Sequence, residues 1–232
     1  MISALSITPP RANCTEIGQA VPVLMTTTKV ALKGELQVPA HASGIVLFAH
    51  GSGSSRHSVR NRMVARTLHR AGIGTLLFDL LTPEEEMRDL NNGFLRFDIP
   101  LLTQRLMIAA YWLHFHPLAK DLPYGFFGAS TGAAAALQAA AELGTEIRAV
   151  VSRGGRPDLA IRRLPDVKSP TLLIVGGNDE LVLKLNQRAY QSLTCEKRLE
   201  IIPRATHLFE EPGTLEQAAS LAADWFTTHF QP

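Results

Sequence analysis

The sequence predicts an α/β fold, a mostly parallel sheet of about eight strands with its first strands antiparallel and helices on both faces. Three observations predict it. Solid apolar runs, such as IVLFA at 45–49, TLLF at 75–78 and TLLIV at 171–175, read as strands buried on both faces. Between them lie segments whose apolar residues recur at helical spacing. Strand and helix then alternate from residue 45 to the end, as they do where a parallel sheet is wound through helical crossovers.

Taken in order, residues 1–20 carry Pro9, Pro10 and little periodicity, and read as a lead-in to a single domain over 21–232. Residues 21–38 alternate, with Val30, Leu32, Leu36 and Val38 among polar neighbours. Gly34 breaks that run, which predicts two short antiparallel strands at a sheet edge. The strand at 45–49 ends in HGSGSSRH, a glycine and serine loop. Residues 59–71 place Met63, Val64, Thr67 and Leu68 on one helical face before Gly72 stops the helix. Residues 73–79 form the next strand. The stretch 80–97, rich in acids from Glu84 to Asp89, reads as a long loop of the kind that is functional or mobile. A helix over 98–114 repeats Ile99, Leu102, Leu106, Ala109 and Leu113. After Leu122 an apolar strand passes through a tight turn into the alanine-rich helix around 133–141. Strands at 147–152, 171–177 and 198–202, and helices at 181–193 and 213–230, complete the alternation.

Composition narrows the partners. A chain of 232 residues, 46% hydrophobic and 19% charged, is an ordinary globular protein with room for one sizeable core. A formal charge of +2 without long basic runs argues against nucleic acid. Cys14 and Cys195 lie far apart without metal-ligand spacing, so two free thiols in a reducing compartment are expected, and no metal or cofactor is called for. No stretch reaches membrane-spanning length, and the first residues lack the basic start and apolar core of a signal peptide. The expected location is the cytoplasm.

The chemistry gathers at Gly128-Ala129-Ser130-Thr131-Gly132, a G-x-S-x-G spacing between an apolar strand and a helix. A serine at the tip of such a turn takes a strained backbone conformation, and the flanking glycines remove side chains that would collide with it. In a parallel sheet the active site forms at the carboxyl ends of the strands. The residues there include His50-Gly51-Ser52-Gly53, Asp79, Ser130, Arg153, Arg156, Asp179, Glu180 and His207. A serine hydroxyl needs a base to take its proton, and an imidazole needs a carboxylate to fix its tautomer. Of eight histidines, His207 alone follows the last strand directly. Asp179 is the matching acid, with Glu180 in reserve. Asp158 reads as a cap or arginine partner and Asp79 as a structural acid. The amides of Ser52 and Thr131 are the expected oxyanion donors. The glycine and serine loop lacks the lysine and spacing of a P-loop.

These residues resemble the α/β-hydrolase superfamily, and more narrowly its dienelactone hydrolase branch, over residues 30–230. The resemblance rests on HGSGSSRH at 50–57, LFDLLT at 77–82, GASTG at 128–132, SRGGRPDL at 152–159, GGND at 176–179 and ATH at 205–207. It implies a triad of Ser130, Asp179 and His207 with Ser52 and Thr131 as amide donors. One departure matters: dienelactone hydrolases proper use a cysteine nucleophile, and this chain has Ser130. Hydrolases of the superfamily often insert a helical cap between the strands at 147–152 and 171–176; the intervening stretch here is too short for a cap domain. The site is then open, which favours small, soluble substrates.

The expected activity is hydrolysis of small carboxylic esters or lactones through an acyl-enzyme. The alternatives are acyl transfer or perhydrolysis on the same triad, and a non-catalytic binding protein. Arg56, Arg153 and Arg156 fall at the catalytic rim and are candidates for holding an anionic group of the substrate, against the plainer reading of ion pairs with Asp79, Asp158 or the acids at 84–86.

Overall fold

The structure is a computed structural model that describes residues 18–231; most of the expected lead-in, with Cys14, lies outside them. The strands are β1 (Ala20–Thr26), β2 (Ala31–Gln37), β3 (Ile45–Ala49), β4 (Gly74–Phe78), β5 (Tyr124–Ala129), β6 (Ile147–Arg153), β7 (Thr171–Gly176) and β8 (Lys197–Ile202). They form one sheet in the order β1-β2-β4-β3-β5-β6-β7-β8. β2 pairs antiparallel with both β1 and β4, and the remaining pairs are parallel. The edge hairpin is therefore present, but Gly34 does not end a strand. It sits inside β2 opposite Val23 and Phe78, where the absence of a side chain lets the Phe78 Cβ pack close. The turn falls at 27–30, where the Thr27 hydroxyl accepts the amides of Lys29 (3.1 Å) and Val30 (3.0 Å).

Among the described residues there are six α-helices, five between strands and the last after β8: α1 (Val59–Arg70), α2 (Pro83–Asn92), α3 (Ile99–His114), α4 (Thr131–Leu143), α5 (Glu180–Ser192) and α6 (Thr214–Phe230). The apolar runs work as double-faced strands. In β3, Ile45, Leu47 and Ala49 join the core formed with α3, α4 and α5, while Val46 and Phe48 join the one formed with α1 and α6. Alanines at 133–136 let α4 lie close on the sheet, all of them fully buried. Between β6 and β7 runs only a 3₁₀ stretch, Pro157–Asp166, so no cap domain is inserted between these two strands.

The stretch 80–97 departs from the expected loop, for it contains α2. Its start is fixed by a reciprocal cap: the Thr82 hydroxyl accepts the Glu85 amide (3.2 Å) and the Glu85 carboxylate accepts the Thr82 amide (2.9 Å). Pro83 stands at the first helical position, and Gly93 ends the helix at φ 67°. Three acids in the first turn suit the helix dipole.

Burial lowers the pKa of three histidines, His50, His69 and His116, with His69 brought to about 4 from an ordinary 6.5. As the pH falls below 6.5 the unfolded chain binds protons at these positions that the folded chain refuses. Their contribution to stability is complete above that pH and is lost on acidification, for His69 down to about pH 4. The urea midpoint is expected to drop across this window, and less so in His69→Gln. A midpoint with equal pH dependence in both proteins would remove His69 from this role.

Candidate active site

β5 ends at Ala129 and α4 begins at Thr131, which leaves Ser130 alone at the turn with φ 51° and ψ −122°. That backbone region costs a serine about 1–3 kcal/mol and is sustained by the packing around it. A Cβ on Gly132 would stand 2.5 Å from the His50 carbonyl oxygen and closer still to that of Ala49; one on Gly128 would stand 2.7 Å from the Ala133 nitrogen. The glycines thus let α4 begin directly against β3. The Ser130 carbonyl accepts the amides of Ala133 (3.1 Å) and Arg156 (3.0 Å), which ties the turn to the loop after β6.

Asp179 and His207 arrive on neighbouring loops. Asp179 stands at the N-cap of α5 yet makes no capping bond; its Oδ2 lies 2.7 Å from His207 Nδ1. A carboxylate only accepts, so Nδ1 carries the proton and Nε2 keeps its lone pair. The loop bearing His207 is pinned by Glu211, which accepts from the Thr206 amide (3.0 Å) and hydroxyl (2.7 Å). On its other side Gly154, at φ 51°, leaves the room that the His207 backbone occupies. His207 and Ser130 line one cavity of about 240 Å³, together with Ser52, Ser54, Ser58, Arg60, Asn61 and Arg153 among others. Among the described residues no hydrogen bond joins Ser130 to His207, whose Nδ1 is engaged by Asp179.

The expected oxyanion donors differ in state. Thr131 N–H opens the first turn of α4, where the helix dipole favours negative charge. The Ser52 N–H instead donates to the Thr131 hydroxyl at 3.0 Å. The loop carrying Ser52 is held by His50, whose Nδ1–H donates to the Gly51 carbonyl (3.0 Å) while Nε2 accepts the Leu80 amide (3.1 Å). Both bonds need a neutral ring, and burial keeps the His50 pKa low. Asp79 anchors the same loop, accepting the Arg56 amide at 2.9 Å and pairing with its guanidinium.

The rim arginines separate. Arg56 is bound to Asp79, and Arg156 forms a two-pronged pair with Asp158 at 2.9 and 2.8 Å. Arg153 is 6% exposed and lines the cavity of Ser130; among the described residues it has no carboxylate partner. Its Nε and Nη1 are buried without a hydrogen-bond partner, and its guanidinium lies 5.5 Å from the centre of the Phe209 ring. Burial, and secondarily the charge of Arg60, bring its pKa down to about 10. It remains a cation at neutral pH.

A second cavity of about 490 Å³ adjoins the first across Gly51, Ser52, Ser54 and Ser58. It is also lined by Leu80, Leu81, Leu90 and Leu102, together with Glu86, Asp89 and Arg96. Desolvation, and then the charge of Asp79, raise the Glu86 pKa. Sequence reasoning pointed to the 80–97 stretch that supplies most of this lining, but as a loop, and did not single out Arg60 or Asn61 as site residues. The signals were the Ser58-x-x-Asn61 cap ahead of α1 and the Thr82-Pro83-Glu84-Glu85 start of α2.

No protein-family model matches the chain. Two curated proteins from strains of Mycobacterium tuberculosis, each named "Putative phosphoribosyl transferase", are 60% identical over 200 residues, 86% of this chain and 44% of theirs. The chain spans less than half the length of the curated relatives it matches. Among solved structures, a dienelactone hydrolase from Anabaena variabilis is 56% identical with a TM-score of 0.91, and the match covers 93% of this chain and 100% of that one. Two esterases share the fold: Est1E from Butyrivibrio proteoclasticus (14% identity, TM-score 0.75, 90% and 98% covered) and one from Pyrococcus furiosus (18%, 0.73, 98% and 99%). Among the described residues no helix is long and apolar enough to cross a membrane.

Proposed function

The chain belongs to the dienelactone hydrolase family of α/β-hydrolases, and from that premise we propose that it hydrolyses small carboxylic esters or lactones through an acyl-enzyme on Ser130. The observation that carries this reading is the 2.7 Å bond from His207 to Asp179 on the wall of the cavity that holds a strained Ser130. His207 Nε2 takes the Ser130 proton as Oγ attacks the ester carbonyl. The imidazolium that forms is stabilised by Asp179, and it then protonates the departing alkoxide. Thr131 N–H, at the positive end of α4, receives the negative oxygen. The Ser52 N–H joins it once the Thr131 hydroxyl turns aside or shares the donor. Water, activated by the same imidazole, releases the acid. The cavity walled by the leucines lies beside the nucleophile and suits an apolar part of the substrate.

A hydroxyl, an imidazole and an amide around one cavity are the apparatus of acyl transfer.

Rapid mixing with an activated aryl acetate tests the reading: a burst of phenol equal to the enzyme concentration is expected, followed by slower turnover. Linear release without a burst, at a rate unchanged in Ser130→Ala, would contradict it. Asp179→Asn is expected to lower kcat by about 10⁴-fold with the fold retained, because an amide no longer fixes the His207 tautomer. Steady-state kinetics beside a thermal melt measure both.

A further inference from the structure

The cavity beside Ser130 has a cationic floor that ester hydrolysis does not require. Arg153 is buried there with two donors unpartnered, and among the described residues no carboxylate neutralises it. Arg60 lines the same cavity; its partner is Glu210 at 3.4 Å, a pair open to solvent and therefore weak. The third source of positive charge is the N-terminus of α1. Ser58, Arg60 and Asn61, its cap, second and third residues, all line the cavity, and its first turn holds no acid. The Ser58 hydroxyl takes the Asn61 amide, which leaves the amides of Val59 and Arg60 without intrahelical partners. Ser52, Ser54 and Ser58 line the same cavity and bring hydroxyl donors to it.

We propose that this floor is a phosphate subsite, and that the natural substrate is a carboxylic ester bearing a phosphate monoester group close to the scissile bond. The proposal rests on the serine-hydrolase reading of Ser130. Charge selects the ligand. Two guanidiniums and a helix N-terminus exceed what one carboxylate neutralises, whereas a phosphate monoester brings about −1.5 to −2 at neutral pH and three acceptor oxygens. The apolar remainder of the substrate faces the larger cavity.

Three acetate esters of matched length supply the test: ethylene glycol monoacetate, 3-acetoxypropanoate and 2-acetoxyethyl phosphate, followed by acetate release. In the unaltered protein the phosphate-bearing ester is expected to exceed the neutral one in kcat/KM by about tenfold or more, and to exceed the carboxylate-bearing one as well. Inorganic phosphate is expected to compete with 4-nitrophenyl acetate. In Arg153→Met the ratio of phosphate-bearing to neutral ester is expected to fall to near one. Arg60→Gln, at an exposed side chain, is expected to lower it severalfold and keeps the test open should the buried substitution impair folding. A ratio near one in the unaltered protein, or one that neither substitution changes, overturns the subsite. A carboxylate-bearing ester turned over at least as well overturns the phosphate assignment. Turnover of the neutral ester by Ser130→Ala would instead overturn the reading of the nucleophile, so the two failures are distinguishable.

Discussion

Ser130→Ala is expected to lower kcat for a small aryl ester by about 10⁵-fold or more, the scale seen when a triad nucleophile is removed. Without Oγ no acyl-enzyme forms, and only water positioned by His207 and the amides remains to attack. The fold has little stake in that hydroxyl. Ser130 makes no side-chain cap to α4, and alanine at φ 51° bears a similar backbone strain. The melting temperature is therefore expected to stay within a few degrees while turnover disappears, which separates chemistry from stability. A loss smaller than about tenfold would mean that another group carries the reaction.

Gly132→Ala is expected to cost about 4 kcal/mol of stability or to prevent folding, the outcome of forcing a side chain into backbone. The added Cβ would overlap the carbonyl oxygens of Ala49 and His50. Neither can give way cheaply. Ala49 ends β3 in the middle of the sheet, and His50 is held on both ring nitrogens by Gly51 and Leu80. Gly53→Ala supplies the comparison: Gly53 has φ 69° but nothing within 4 Å of a new Cβ, so only the backbone cost of about 1–2 kcal/mol is expected. Urea denaturation of the two variants measures the difference. Equal costs would mean that α4 does not depend on its close approach to β3.

Much of this architecture is legible before any coordinates. The double-faced strands show as unbroken apolar runs because parallel strands bury both sides. The turn at Ser130 shows because its G-x-S-x-G spacing stands between an apolar run and an alanine-rich helix, although the clash that requires Gly132 comes from Ala49 and His50, far away in sequence. The features that resist reading have distant or weak causes. Gly34 looks like a break, yet what it answers to is Phe78 on β4, forty-four residues away in sequence. α2 hides behind an acidic surface with few apolar residues, although its Thr82 to Glu85 cap is written plainly. Arg56, Arg153 and Arg156 are equivalent as letters. Their fates are decided by whether a carboxylate happens to fold beside them, and only Arg153 is left without one among the described residues. The hydrogen bond from Ser52 N–H to the Thr131 hydroxyl is likewise a matter of rotamer.

The most direct measurement is the intact mass of the protein after exposure to a fluorophosphonate, with the modified peptide sequenced. One adduct is expected, on Ser130, forming far more slowly in His207→Gln and absent from Ser130→Ala. An unaltered mass after prolonged exposure, or an adduct on any other residue, would contradict a serine activated by His207.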